Sequence, residues 1–214
     1  METDKELRDR HADIGANGLS SSVNGIRSTI LQDVPSVQSV VIIENSGSTT
    51  DGGGRPANSF ESICYGGVDA DIATAILKAK PAGIQAYGST TVTVKDDSGN
   101  DQTIKFSKAT ALNVWVKVAL TKDASYPSNG DALVKTEVLK YIGGTDADST
   151  VYGGLGMGQS VINSQTSLAI LKNVPGVLDA VITFSTNGST YAGGNVAVTI
   201  TQVAQTDLAK VIFI

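Results

Sequence analysis

The sequence is poor in the residues that most often carry chemistry. Its 214 residues include one histidine, His11, and one cysteine, Cys64. An intramolecular disulfide needs a second cysteine, and a tetrahedral Cys/His zinc site cannot be built from one of each. A Ser-His-Asp triad would have to use His11, which lies in a polar N-terminal segment, and there is no Gly-x-Ser-x-Gly elbow. We therefore predict no catalytic, cofactor-binding or metal-binding residues, no cofactor, and no enzymatic activity. We expect Cys64 to be a small buried hydrophobe.

Charged residues and long apolar runs are also scarce. Charged residues make up 17% of the chain, aromatic residues 5%, and the net charge is −5. An acidic chain without clustered Lys and Arg is not expected to bind nucleic acid. No run approaches the ~18 apolar residues of a membrane span, and the charged segment Met1–Arg10 is not typical of a secretory signal. We expect no nucleic-acid or membrane partner, and folding in a cytoplasm.

The residues that are abundant indicate a strand-rich protein with many turns. The chain is 41% hydrophobic and contains 23 glycines. Helical and alternating apolar patterns succeed one another, so we predict an α+β fold of two small modules, each with helices packed on a mainly antiparallel sheet. The first module spans residues 1–110 and includes a mobile loop at 45–59, where Asp51-Gly-Gly-Gly54 has little intrinsic structure. The second spans 111–214.

Apolar periodicity, caps and stop signals place the individual elements. The predicted helices cover residues 4–14, 21–32, 69–80, 131–142 and 160–172. The predicted strands cover residues 37–44, 60–65, 91–95, 103–106, 113–121, 178–185, 195–203 and 210–214.

A short internal repeat suggests that the two modules are related. Asp33–Ile42 parallels Asn173–Ile182, and an amphipathic helix precedes the Val-Pro step in each case. The shared content is a helix, a turn stopped by proline, and a buried strand that returns along the helix. Duplication is therefore a hypothesis that the chain path can test.

Two segments share the pattern Gly-Gly-x-Asp-Ala-Asp, with acidic pairs at Asp69/Asp71 and Asp146/Asp148. Such pairs can bind calcium or magnesium, but neither segment has the further oxygen ligands of an EF-hand loop. Helix capping and dipole compensation account for the first pair, and a polar turn accounts for the second. We therefore predict no metal site, with weak metal binding as the alternative.

The glycine-rich segment Gly153–Gly158 precedes a predicted helix, a position where such turns can cradle phosphate. No Lys-Ser or Lys-Thr follows it and no clear strand leads into it, so neither a Walker A loop nor a dinucleotide fingerprint is present. We expect a flexible connector.

Three segments, taken in order, resemble the baseplate J-like family of contractile phage tails. The first is Glu2–Arg8, followed by the helix ending at Arg27 and by Val34-Pro35. The second is Ser59–Ala73, continuing into Lys80–Gly88. The third is Ile104–Ser107, followed by the strand through Trp115 and Val118. Together they cover about the first 125 residues, and the remainder is similar to the family in pattern more than in motif.

The resemblance implies a structural wedge subunit of the tail baseplate, located in the virion and assembled in the host cytoplasm. Its expected partners are other baseplate wedge subunits, with self-association as a further expectation. In the family, the segment that resembles Glu2–Arg8 usually lies well inside the chain. The resemblance therefore also predicts a C-terminal fragment of a longer protein. The alternative is a receptor- or carbohydrate-binding module at a tail or cell surface, which would use exposed aromatic residues such as Trp115.

The apolar segment Val211–Ile214 has two interpretations. We favour a final strand buried in the sheet of its own module. The alternative is an edge strand that pairs with a neighbouring subunit.

Overall fold

The computed structural model describes residues 21–214, so His11 and the predicted helix over residues 4–14 lie outside the described part of the chain. The chain divides into two compact units, the first ending at Ala109 and the second beginning at Thr110. Each unit has a hydrophobic core of its own. One buried cluster draws its residues from between Ile26 and Phe106, and the other from between Val114 and Val211.

The described part of the first unit contains two helices and five strands. They are α1 (Val23–Asp33), β1 (Val37–Asn45), β2 (Ser59–Gly66), α2 (Asp69–Ala79), β3 (Gln85–Tyr87), β4 (Thr90–Lys95) and β5 (Asp101–Lys108).

Helix α1 shows how the sequence sets these boundaries. The hydroxyl of Ser22 accepts a hydrogen bond from the backbone N–H of Gly25 at 3.1 Å, which caps the first turn. Ile26 and Ile30 lie four residues apart and are both buried, so they form the face that packs on the sheet. The helix ends two residues before Pro35, as the restriction on residues before proline predicts.

The sheet of the first unit has the strand order β1-β2-β5-β4, and β3 also pairs with β2. The β1–β2 and β4–β5 ladders are antiparallel, whereas β2 pairs in parallel with β3 and β5. Strand β2 therefore lies inside the sheet, and its residues Phe60, Ile63 and Cys64 are buried. Full burial of a phenylalanine or isoleucine side chain contributes about 1.5–3 kcal/mol.

The second unit contains two helices and seven strands. They are β6 (Thr110–Asn113), β7 (Trp115–Lys122), α3 (Gly130–Ile142), β8 (Gly144–Thr145), β9 (Val151–Tyr152), α4 (Asn163–Asn173), β10 (Val177–Ser185), β11 (Gln202–Asp207) and β12 (Val211–Phe213).

These strands form two small sheets. One has the order β10-β7-β12, with β10 antiparallel and β12 parallel to β7. The other has the order β6-β11-β8-β9 and is parallel except for its last pair. Val116 and Val118 of β7 are fully buried in the same cluster as Val134 and Val138 of α3 and Ile170 of α4. The α3 and α4 helices thus cover one face of the β10-β7-β12 sheet.

The α+β class is confirmed, and the sheets are mixed, with the longest ladders antiparallel. The strand predicted over residues 195–203 is wrong. Residues 197–201 form no strand, and the ladder begins at Gln202. The backbone turns there because the Gln202 side-chain oxygen accepts hydrogen bonds from the backbone N–H and the hydroxyl of Thr199.

The two repeat segments have the same local structure at a constant separation. The helix begins at Val23 or Asn163 and the strand at Val37 or Val177, in each case 140 positions apart. Each strand has a register shift within its first three residues, at Val37/Ser39 and at Val177/Asp179. The chain order differs, because β1 pairs with a strand that follows it and β10 with a strand that precedes it. That the two units are related modules stays a prediction.

Candidate functional site

The one cysteine is a buried residue of the first core. Cys64 has no exposed surface and pairs across the sheet with Val40. Burial raises the pKa of its thiol to about 12, although the charge of Lys108 opposes the shift. Because the thiolate is the reactive form, this residue is held unreactive at neutral pH.

The first acidic pair lies in the opening turn of α2, but it does not cap the helix. The N-cap position is Val68, which makes no side-chain cap. Asp69 instead forms an ion pair with Lys108 at 2.9 Å, and the Lys108 ammonium also donates to the carbonyls of Gly66 and Gly67 at 2.9 and 2.8 Å. The predicted dipole compensation fits the position of both aspartates, whereas the predicted capping is wrong. Lys108 ties the end of β5 to the turn before α2.

The second acidic pair lies in a polar turn. One oxygen of Asp146 accepts hydrogen bonds from the backbone N–H groups of Asp148 and Thr150 at 3.0 and 2.9 Å, and the other accepts from the Tyr152 hydroxyl at 2.9 Å. Partial desolvation raises the pKa of Asp146, but these hydrogen bonds outweigh it and lower the value. Within residues 21–214, no group of three His, Cys, Asp or Glu side chains lies close enough to hold a metal ion.

The glycine-rich segment is packed against backbone. A Cβ on Gly154 would lie 2.1 Å from the nitrogen of Gly143, and Gly154 itself has a φ of 55°. The N–H of Leu155 donates to the carbonyl of Ile142 at 3.2 Å, and that of Gly158 donates to the carbonyl of Gln202 at 3.0 Å. The glycines therefore permit close approach of two chain segments.

The loop after β1 is fastened at its base by Asn45, which is 8% exposed. Its amide nitrogen lies within 2.9 Å of the carbonyls of Thr49, Arg55 and Pro56, and its oxygen accepts from the N–H of Gly47 at 3.0 Å. One buried side chain thus replaces the backbone partners that this loop lacks. The predicted mobility of residues 45–59 stays a prediction, and these hydrogen bonds argue against it.

A charged cluster fastens the far part of the same loop. The guanidinium of Arg55 donates to Asp51 at 2.8 Å and to Glu61 of β2 at 2.9 Å. The hydroxyl of Ser107 donates to the other oxygen of Glu61 at 2.5 Å. Each of these charges has a partner, so the cluster positions the loop on the sheet.

The outer face of the β10-β7-β12 sheet carries lysines stacked on aromatic rings. Because Val116 and Val118 point into the core, Trp115 and Lys117 face away from it. The Lys117 ammonium lies 4.0 Å from the centre of the Tyr191 ring. Trp115 is covered from one side, since a Cβ on Gly188 would lie 3.1 Å from its indole, and Lys210 lies 5.6 Å from its ring centre. The Trp115 ring is therefore partly covered, and its use as a platform for a sugar stays untested.

The C-terminal strand β12 pairs in parallel with β7 of its own unit, and Val211 is fully buried. This arrangement agrees with the interpretation of a strand within its own module. Pairing with a neighbouring subunit stays untested.

A comparison with known proteins gives a likeness in fold but none in sequence. No protein-family model matches the chain, and no curated protein has a significantly similar sequence. Among solved structures, a chain in the six-fold symmetrised cryo-EM structure of the anti-feeding prophage baseplate matches with a TM-score of 0.58. The chain is similar in fold to a baseplate protein.

The likeness covers both units. It extends over 96% of this chain and 42% of the baseplate chain, at 14% sequence identity. The chain thus spans less than half the length of that neighbour. At this identity the comparison shows the fold, and membership in the baseplate J-like family stays a prediction.

The helices of the described residues run to 13 residues at most, and none is long and apolar enough to cross a bilayer.

Sequence reasoning missed one surface, the exposed leucines of α4 and β10, because a leucine at helical or alternating spacing predicts a core position. A position-by-position comparison of the two repeat segments would have revealed it.

Proposed function

We propose that this protein is a structural component of the baseplate of a contractile injection particle and acts through protein–protein contacts. The observation that carries the proposal is the fold likeness to the anti-feeding prophage baseplate chain over 96% of this sequence. The ordered resemblance of three sequence segments to the baseplate J-like family supports it independently. The proposal assigns the protein no catalytic role, cofactor or metal.

In its finer form, the proposal is that the protein is a wedge subunit of a phage-type tail baseplate. Its partners are then other wedge subunits, and its location is the assembled particle, built in the host cytoplasm. Two units with separate cores and loops fastened by buried side chains suit a part that must keep its shape under load.

Deleting the gene in the organism that encodes it tests the coarse proposal. We expect negative-stain electron microscopy to find no complete contractile particles, and a plasmid copy of the gene to restore them. Cross-linking mass spectrometry of restored particles should join this chain to sheath, tube or spike components. Normal particles from the deletion strain, with the protein absent from them, would falsify the proposal.

Affinity purification tests the finer part. A tagged copy expressed in the deletion strain should bring down its wedge partners before sheath assembles. Recovery of this chain in complete particles without any stable subassembly would contradict the wedge assignment and leave the baseplate assignment intact.

A further inference from the structure

The surface formed by α4 and β10 carries three exposed leucines. Leu168 is 52% exposed, Leu171 38% and Leu178 63%. Leu168 and Leu171 lie three residues apart on α4 and are therefore neighbours on the helix surface. Leu178 is the residue left without a partner by the register shift at the start of β10.

Hydrogen bonds fix α4 along the edge of β10 and bring the leucines together. The side-chain amide of Asn163 donates to the carbonyl of Ile182 at 2.8 Å, and the hydroxyl of Ser167 donates to the carbonyl of Ala180 at 3.0 Å. The helix therefore runs antiparallel to the strand, and its next turn places Leu171 level with Leu178. We call Leu168, Leu171 and Leu178 the leucine patch.

These same hydrogen bonds determine what kind of partner can bind. The edge carbonyls of Ala180 and Ile182 are already occupied by α4 side chains, and Phe184 already pairs with Ala192. An added β-strand would need those groups. The patch is therefore suited to side-chain packing and not to strand addition.

The first unit provides an internal control for the role of the leucines. At the equivalent positions, 140 residues earlier, it has Ser28, Leu31 and Gln38. The same helix and strand form there with polar residues at two of the three positions. The fold thus does not require leucine at positions 168 and 178, and exposed leucine costs solubility.

Two charges of opposite sign border the leucine patch. Lys172 follows Leu168 by one helical turn, and Asp179 follows Leu178 directly; both are exposed. Neither forms an ion pair with any residue of the described chain. The first unit has the uncharged residues Gln32 and Ser39 at these positions. The differences between the repeats at these positions thus add apolar contact and two complementary charges to one surface.

We propose that the leucine patch is the interface of a two-fold symmetric dimer of this chain. A two-fold interface brings the same surface of both copies together, so residue i meets residue j and residue j meets residue i. The patch meets that condition, because Lys172 of one copy can face Asp179 of the partner subunit on both sides of the axis. The opposite signs on a single surface are what favour a second copy over an unrelated partner.

The expected dimer is weak. Three leucines a side is a small fraction of the 20–30 residues that each partner contributes to a standard interface, so we expect a dissociation constant on the order of 10–100 µM. The proposal does not depend on the baseplate assignment, since it concerns the purified chain.

The first test reverses the charges of Lys172 and Asp179 one at a time and then together. Sedimentation equilibrium at 5 µM to 1 mM measures the affinity of the dimer. Lys172→Asp and Asp179→Lys should each weaken the dimer about tenfold, because each places like charges together on both sides of the axis. The double variant should recover to within about threefold of the original affinity. A chain that stays monomeric at 1 mM overturns the proposal, as does a single reversal that leaves the affinity unchanged or a double variant that fails to recover it.

Substitution by the first unit's own residues provides the second test. Leu168→Ser with Leu178→Gln should abolish the dimer at 1 mM while far-UV circular dichroism stays unchanged. Val68→Ser is the matched control, since Val68 is 58% exposed and lies outside the patch. A dimer that survives the double leucine substitution overturns the proposal. If that variant fails to fold, the charge-reversal series decides.

Discussion

At the scale of single residues, the sequence sets reactivity mainly through burial. Cys64 is a clear case, because the strand that carries it is buried on both faces and the pKa of its thiol rises to about 12. At pH 8 only about one thiol in 10⁴ is then ionised, compared with roughly a tenth for a thiol at the unshifted value of 9.0.

We therefore expect Cys64 to resist alkylation in the folded protein. Native protein treated with N-ethylmaleimide at pH 7.5 should show no added mass after an hour. The same protein in 6 M guanidinium chloride should take up one equivalent within minutes. Rapid modification without denaturant would show that β2 opens locally, which the buried position of the strand argues against.

Tyr126 and Asp131 form the second residue-scale feature, at the start of α3. The tyrosine hydroxyl donates to the carboxylate at 2.6 Å, and Lys122 pairs with the same oxygen at 2.9 Å. The hydrogen bonds from Tyr126 and Lys122 lower the pKa of Asp131. A carboxyl whose folded pKa lies below its unfolded value stabilises the fold above the unfolded value of 3.8, and the contribution disappears as pH falls through the folded pKa.

Replacing Asp131 with Asn should consequently lower Tm at neutral pH and have no effect in strong acid. The side chain is more than half exposed, so solvent screening limits the expected loss to about 0.5–1 kcal/mol, or a Tm shift of about 1–3 °C. Thermal melts from pH 2 to 7 measure it, with Asp97→Asn as the control because Asp97 forms no ion pair within residues 21–214. A Tm difference that is constant across this range would exclude the titration of Asp131 as its cause.

At the scale of elements, the loop of residues 46–58 is held at its base by one side chain. Asn45 occupies the end of β1, and its amide group provides partners for four backbone groups of the loop. Asp51 adds two more bonds, from the N–H groups of Gly53 and Arg55 at 2.9 and 3.0 Å.

Asn45→Ala should therefore release the loop without unfolding the sheet. We expect a loss of about 2–3 kcal/mol, because several buried polar groups lose their partner at once. Hydrogen exchange measured by NMR should speed up at Gly47 and at residues 51–55, and stay unchanged in β2. Asn100→Ala is the matched control, since Asn100 lies in an exposed turn. Fast exchange of these amides in the unsubstituted protein would instead support the predicted mobility of the loop.

The helices and long strands could be predicted from sequence because their signals are local. Ile26 and Ile30 mark one face of α1, and alternation through Val116 and Val118 marks β7. The segment through Val196, Val198 and Ile200 shows the same alternation, yet only Val196 makes a bridge, with Val161, before the chain turns at Thr199. Alternation within a segment cannot show that no neighbouring strand is available to pair with it.

Apolar periodicity could predict neither the parallel pairings nor the leucine patch, for the same physical reason. Strand β3 is three residues long and pairs only with β2. Strand β12 pairs only with β7. By periodicity alone Leu168 and Leu178 look like core residues, and only the polar Ser28 and Gln38 at the equivalent positions of the first repeat indicate otherwise. Long-range contacts decide these features, and sequence periodicity carries no information about them.

At the scale of the whole molecule, the two units have separate hydrophobic cores. Every residue of the first cluster lies before Ala109 and every residue of the second after Thr110. The sheet ladders respect the same boundary, since no strand of one unit pairs with a strand of the other in the described chain. Folding free energy comes mainly from burial within a core, so neither unit depends on the other for its main source of stability.

Cutting the chain at this boundary should accordingly give two fragments that fold. We expect residues 110–214, produced alone, to show a dispersed ¹⁵N–¹H spectrum that overlays the matching signals of the intact chain, and to unfold cooperatively in urea. Residues 1–109 should do the same. A cut of the 110–214 fragment inside the second core, after Asn173, is the control, because it removes β10 and β12 from β7 and should leave residues 110–173 and 174–214 unfolded. Fragments that fold only when mixed would show that the units stabilise each other, and the boundary would then divide one folding unit in two.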